Sequence, residues 1–212
     1  MALIHRATLR PTKLELLSAW LPGRAWYTGP AGEPRRVATF RFDDPAGAVG
    51  IETMLVRIGD GPVHQVPLTY RDAPLTGAEA RLLGTTEHSV LGKRWIYDGT
   101  GDPVYVAALA SAVLGNTGQA DEFTQVDDGL ERREPSMGIA SSAAENVVVP
   151  AVGAVRSVVE GDPTVIVTDA VELTVVRRLD AGAGLTGAVL TGTWPGQQTP
   201  MPLASASLRH SS

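Results

Sequence analysis

Residues 49–72 read VGIETMLVRIGDGPVHQVPLTYRD, and the fold is decided there. Two apolar-rich runs, Ile51–Ile58 and Val63–Tyr70, flank Gly59-Asp60-Gly61-Pro62. Met54, Val56 and Ile58 alternate with polar or outward positions, and Val66, Leu68 and Tyr70 do the same in the second run. Successive strand side chains point to opposite faces, so a period of two broken by an Asp-Gly turn predicts a β-hairpin.

Upstream, Ala2–Leu9 is expected as a strand and Pro11 as the first residue of a helix, where its missing N–H costs nothing. Leu14, Leu17 and Leu21 recur at helical spacing, and Pro22-Gly23 stops the helix. Arg35–Phe42 reads as a second strand, followed by a turn over Asp43-Asp44-Pro45-Ala46-Gly47.

Downstream, Leu75–Gly84 is expected to be short helix or irregular chain. Glu87–Tyr97 is expected as one strand that buries Val90, Trp95 and Tyr97. Asp102-Pro103 opens the clearest helix, with Asp as N-cap and proline in the first turn. Val106, Leu109, Ala110 and Val113 form its apolar face, and Gly115-Asn116 ends it.

The composition then shifts. Gly118–Ser142 is polar and poor in apolar anchors, which reads as a linker or long loop. Val147–Val159 and Thr164–Leu179 are β-rich, the second a hairpin around Thr168-Asp169-Ala170. The Gly-, Thr- and Pro-rich tail from Gly182 is expected to be irregular, with Arg209–Ser212 frayed. The expected organisation is 1–117 as a first α+β domain, 118–142 as the linker, and 143–212 as a β-rich segment with an irregular tail.

Composition narrows the function classes. Hydrophobic residues make up 43% of the 212-residue chain, enough for a real core. The net charge of −5 argues against a nucleic-acid partner, which needs a basic stripe. Without cysteine there is neither a disulfide nor a thiolate metal site. The N-terminus lacks signal-peptide pattern, and no apolar run approaches the roughly 20 residues that span a bilayer. A soluble cytoplasmic protein with no membrane partner is the expectation.

Motifs for chemistry are weak. Gly182-Ala183-Gly184-Leu185-Thr186-Gly187 spells GxGxxG, but Trp194-Pro195-Gly196 arrives too soon for the helix that would hold a pyrophosphate. A kinase glycine loop needs a lysine on the next strand, and none follows Lys93. His5, His64, His88 and His210 have no zinc spacing, although Glu87-His88 could join a site through space. Asp43-Asp44 and Asp127-Asp128 read as turn residues, because adjacent carboxyls point apart rather than across a substrate. No catalytic, metal or cofactor-binding residue is therefore expected. Trp20, Trp26, Tyr27 and Trp95 concentrate the aromatics in a chain with only 5% of them. With Arg24 as a polar rim they read as a partner- or sugar-docking surface, or as core between helix and sheet.

At these residues a family resemblance emerges. Trp20-Leu21-Pro22-Gly23-Arg24-Ala25-Trp26-Tyr27-Thr28-Gly29 is similar to the opening of bacterial maltokinases. Tyr97-Asp98, followed by Asp102-Pro103 and a helix, resembles a second segment. Leu173-Thr174-Val175-Val176-Arg177-Arg178-Leu179-Asp180-Ala181-Gly182 resembles a third, in the same order. The chain thus resembles a stand-alone member of the actinobacterial maltokinase N-terminal cap family.

The resemblance implies an α+β fold, with a curved antiparallel sheet and two packed helices followed by a β-rich part like a kinase N-lobe. It puts the nucleotide-contacting lysine where this chain has Thr174, and a second lysine is lost where Pro30 follows Gly29. It places the catalytic lobe beyond Ser212. The functional expectation is a non-catalytic interaction or regulatory module of maltose, trehalose or glucan metabolism. Its expected partner is a sugar-metabolism enzyme or a kinase lobe. Alternatives are a carbohydrate-binding module that takes an oligosaccharide, or a kinase-like enzyme completed by a partner.

Overall fold

In the computed structural model the two runs around Gly59 pair as expected. Strand β4 (Gly50–Ile58) runs antiparallel to β5 (His64–Arg71), with Met54 opposite Val66. The structure describes residues 2–4, 7–126, 129–144, 148–180 and 184–209. His5, His210, Asp127-Asp128, Gly182-Ala183 and the end of the tail lie outside the described residues.

In chain order the other strands are β1 (Ala2–Ile4), β2 (Leu9–Arg10), β3 (Pro34–Phe42), β6 (Leu82–His88), β7 (Gly92–Asp98), β8 (Glu122–Val126) and β9 (Gly129–Arg132). They continue with β10 (Gly138–Ser141), β11 (Val155–Val159), β12 (Thr164–Thr168), β13 (Val171–Val175), β14 (Ala188–Trp194) and β15 (Gln197–Leu208). The helices are α1 (Lys13–Trp20) and α2 (Pro103–Leu114). Among the described residues the strands form three sheets. One six-stranded antiparallel sheet has the order β2-β6-β7-β5-β4-β3, and another β10-β14-β15-β13-β12-β11. A three-stranded sheet, β1-β8-β9, contains the parallel pair β1–β8. The fold is α+β, mostly antiparallel sheet with two helices.

The first sheet is covered on both faces, where the sequence alternation had left outward positions. Met54, Val56, Ile58, Val66, Leu68 and Ile96 pack against Leu17, Trp20, Leu21 and Trp26 from α1 and the turn after it. Ile51 and Leu55 face the other way and join Ala38 and Phe40 in a second cluster. That cluster takes in α2 and Ile166, Leu173, Val175, Leu190, Ala204 and Ala206 of the second sheet. Helix α2 is buried around most of its circumference, as a helix between two sheets must be. Gln65 ties the two sheets together, its Nε2 donating to the carbonyls of Val176 (3.0 Å) and Leu203 (2.9 Å).

Several expectations need correction. Ala2–Leu9 is not one strand, since β1 and β2 belong to different sheets. Pro11 precedes the helix. Thr12 is the N-cap, and its hydroxyl accepts from Glu15 N while Glu15 Oε2 accepts from Thr12 N, closing a capping box. Glu87–Tyr97 is a hairpin, β6–β7, because His88 Nδ1 accepts from Val90 N (3.2 Å) and Leu91 N (3.0 Å) and folds the turn. Val90 at its tip is exposed.

The segment 118–142 contains β8, β9 and β10: β8 pairs with the distant β1, β10 with the distant β14, and β9 with its neighbour β8. The tail from Gly182 likewise contains β14 and β15, and β15 is an inner strand of its sheet. Pro195 and Gly196 form the turn between them, where Gly196 takes φ +86°. The helix from Asp102, the turn at Asp43–Gly47 and the hairpin at Thr168–Ala170 stand as expected. Asp44 accepts from the backbone N–H of Ala46, Ala48 and Val49, which is the turn chemistry proposed for it. No helix among the described residues is long and apolar enough to cross a membrane.

Candidate functional site

The aromatic residues do not form one surface. Trp20 and Trp26 are 8% and 3% exposed and fill the core under α1, their rings 5.9 Å apart. The reason is local: the helix ends at Trp20, and the tight turn at Leu21–Gly23 folds Trp26 back beneath it. Arg24 lies 4.7 Å from the Trp20 ring. Tyr27 is half-buried, packs 4.7 Å from the His64 ring and donates its hydroxyl to the Pro30 carbonyl. Trp95 stands apart. It pairs with Arg71 in the ladder, on the opposite face to Ile96, and Lys93 lies over its ring. A docking surface that includes Trp20, Trp26 and Trp95 together is therefore not what the fold builds.

What the fold does build on the α1 face of the sheet is two clusters of buried charge. In the first, Arg177 is 0% exposed and Asp98 1%. Arg177 Nη2 donates to Asp98 Oδ2 at 2.7 Å and Thr100 Oγ1 at 3.2 Å, and Nε donates to Thr164 Oγ1 at 2.8 Å. The guanidinium sits 4.6 Å over the Trp26 ring, so the tryptophan supplies a π face where no hydrogen bond is made. Asp162 Oδ1 accepts from the backbone N–H of Arg177, whose carbonyl accepts from Gln65 N. The Tyr97-Asp98 and Val176-Arg177 segments thus meet in one ion pair. Beside it, burial pushes His64 below its ordinary pKa despite a backbone hydrogen bond and nearby Asp162.

The second cluster centres on Glu52, 4% exposed. Lys13 Nζ donates to Glu52 Oε2, Tyr70 OH donates to the same oxygen at 2.5 Å, and Arg41 Nη2 stands 3.1 Å from Oε1. Burial alone would raise the carboxyl, but the charges of Lys13 and Arg41 and the hydrogen bonds that Lys13 and Tyr70 donate to Glu52 outweigh it and hold Glu52 at about 2. Burial lowers the Lys13 ammonium, against the pull of Glu52. Tyr70 is raised well above its usual value by burial and by the carboxylate it serves. Arg41 also reaches Glu122 at 3.7 Å.

Unlike the first cluster, this one opens into a cleft of about 580 Å3 lined by Lys13, Arg41, Phe42, Val49, Tyr70 and Arg94, among others. The sequence reading missed both clusters. The available signal was a charge inside an apolar strand run: Glu52 in IETMLV, and Arg177 directly after Thr174-Val175-Val176.

The weak motifs stay weak. Gly187 takes φ +81°, and a Cβ there would sit 2.2 Å from the Ala206 carbonyl oxygen, so its glycine serves a close backbone approach. Strand β14, not a helix, follows it. Thr174 lies on β13 between Val165 and Ser205 of the neighbouring strands. Among the described residues no group of three or more His, Asp or Glu could hold a metal ion.

Comparison with curated proteins found no match. The family model of the maltokinase N-terminal cap domain matches residues 20–102, which run from the end of α1 through the first sheet to the N-cap of α2. Five of the six strands of the first sheet (β3 to β7), the helix end at Trp20 and the Asp98–Asp102 turn fall inside that match, and this part of the chain is similar to a maltokinase N-terminal cap domain.

Proposed function

We propose that the chain is a non-catalytic cap module that works beside an enzyme of maltose or glucan metabolism. The observation that carries this reading is the match of residues 20–102 to a domain named as the cap of maltokinase. The geometry supports it in two ways. Arg177 and Asp98 clamp the cap to the following β-rich part, as a part positioned against a neighbour requires. The residue at which the family resemblance expects a nucleotide-binding lysine is Thr174, which carries no charge to neutralise phosphate oxygens.

The test is to supply the purified chain with ATP, magnesium and maltose, alone and with a maltokinase trimmed of its own cap. The chain alone is expected to release no sugar phosphate. With the trimmed enzyme it is expected to bind and to raise the rate of maltose phosphorylation. ATP turnover by the chain alone would overturn the non-catalytic part. Absence of binding to the trimmed kinase and to full-length glucan-active enzymes would overturn the module reading.

A further inference from the structure

His64 opens β5 at the joint between the two large sheets. Its backbone bridges Arg178 across that joint. On either side Gln65 N donates to the Arg177 carbonyl at 2.8 Å and Leu179 N to the Val63 carbonyl at 2.9 Å. The imidazole is 2% exposed and packs against the Tyr27 ring at 4.7 Å and the Trp26 ring at 6.1 Å. A ring N–H donates to the Pro62 carbonyl, and among the described residues the buried Nε2 has no hydrogen-bond partner. The site suits the neutral ring, which has one N–H to place, and not the charged ring, which has two.

We propose that His64 is an acid-sensitive latch: neutral, it seals the joint between β5 and the segment after β13, and protonated, it loosens that joint and the turn that carries Trp26 and Tyr27. The charges around the ring are already committed and cannot turn to meet an imidazolium. Asp162 Oδ1 accepts from the backbone N–H of Arg177 and Arg178, and Asp180 pairs with the Arg178 guanidinium at 2.8 Å. Arg177 occupies the π face of Trp26 at 4.6 Å, so a second cation against that ring meets a like charge. On the turn before β3, Arg24 lies over Trp20, and the Tyr27 hydroxyl is held by the Pro30 carbonyl. Glu160 pairs with Arg81, and Asp60, in the hairpin turn of β5, is exposed. Burial is the largest cause that lowers the His64 pKa, with Arg178 adding to it, and Asp162 and Asp180 offset only part. Such a histidine adds stability above its ordinary value of 6.5 and loses it as the pH falls below that. The proposal does not depend on the cap acting beside an enzyme.

The test is amide hydrogen exchange on the full chain, read as protection factors, which correct for the intrinsic effect of pH. The joint is reported by the amides of Gln65 and Leu179, and α2 by those of Val106 and Gly115. Between about pH 7.5 and about pH 5 the joint amides are expected to lose at least about tenfold more protection than those of α2. The His64 ring, followed by its own resonances, is expected to titrate below 6.5 in step with that loss. His64→Gln, neutral at every pH, is expected to abolish the difference between joint and helix. Equal loss of protection in joint and helix, a His64 ring that titrates at or above 6.5, or a joint loss that persists in His64→Gln would each overturn the proposal. Where His64→Gln does not fold, the two measurements on the unaltered chain decide.

Discussion

The two charged clusters lie on one face of the same sheet and use the same chemistry, yet they end in different roles. Around Arg177 every wall is protein: an aspartate, two threonines and a tryptophan ring close over it. Around Glu52 the same kind of pairing leaves an open side, and Lys13 keeps 24% of its side chain exposed. Burying a charge pair is costly, and removing one partner costs more, because the other stays charged without water. A sealed pair is therefore a clamp, whereas a pair with one open side can exchange water for a ligand. Room, not residue type, separates them.

The comparison breaks first at the clamp. Arg177→Met leaves Asp98 buried without its partner and is expected to cost about 3–5 kcal/mol, read as a lower urea midpoint. A loss under about 1 kcal/mol would mean the joint is not a clamp.

Glu52→Gln comes next. A carboxyl whose folded pKa lies below its unfolded value adds stability above the unfolded value and loses it as pH falls through the folded one. For Glu52 that window runs from 4.5 down to about 2. The substitution is expected to cost about 3 kcal/mol at neutral pH and to flatten the acid limb of the stability profile across that window. An unchanged limb would place the acid sensitivity elsewhere.

Asp102 is an intermediate case. It accepts a bidentate pair from Arg71, at 2.7 and 2.6 Å, and caps α2 through Val104 N. Arg71 keeps 20% of its side chain exposed, so water can take over part of the lost contact. Asp102→Asn keeps a cap acceptor and should cost less than Asp102→Ala, whose loss is expected near 1–2 kcal/mol by thermal melting. Equal losses would assign the effect to the charge pair alone. Smallest of all, Arg132→Ala breaks an ion pair with Asp121 whose side chains are both more than half exposed. No measurable shift in melting temperature is expected, since water replaces such a contact.

Local patterning carried much of the fold. The hairpin at Gly59, the cap at Asp102 and the turn at Asp44 are decided by neighbours a few residues away, so short-range spacing sufficed. The reading failed where partners are distant. Strands β8 and β10 are short, and pairing with the distant β1 and β14 makes them strands, with β9 added to β8 as a hairpin. Strand β15 contains Pro200 and Pro202 and becomes an inner strand through β13 and β14.

The aromatic residues were visible as a concentration, but not their separation onto opposite sheet faces, which depends on register. Glu52 and Arg177 could be seen as charges in apolar runs, yet nothing in the string says which is sealed and which is open. The order of residues determined the hairpin at Gly59, the cap at Asp102 and the turn at Asp44, because those depend on contacts a few positions apart. The tertiary structure alone decided that Arg177 meets Asp98 and that a void stands beside Glu52, because burial and empty space arise from chain segments distant in sequence.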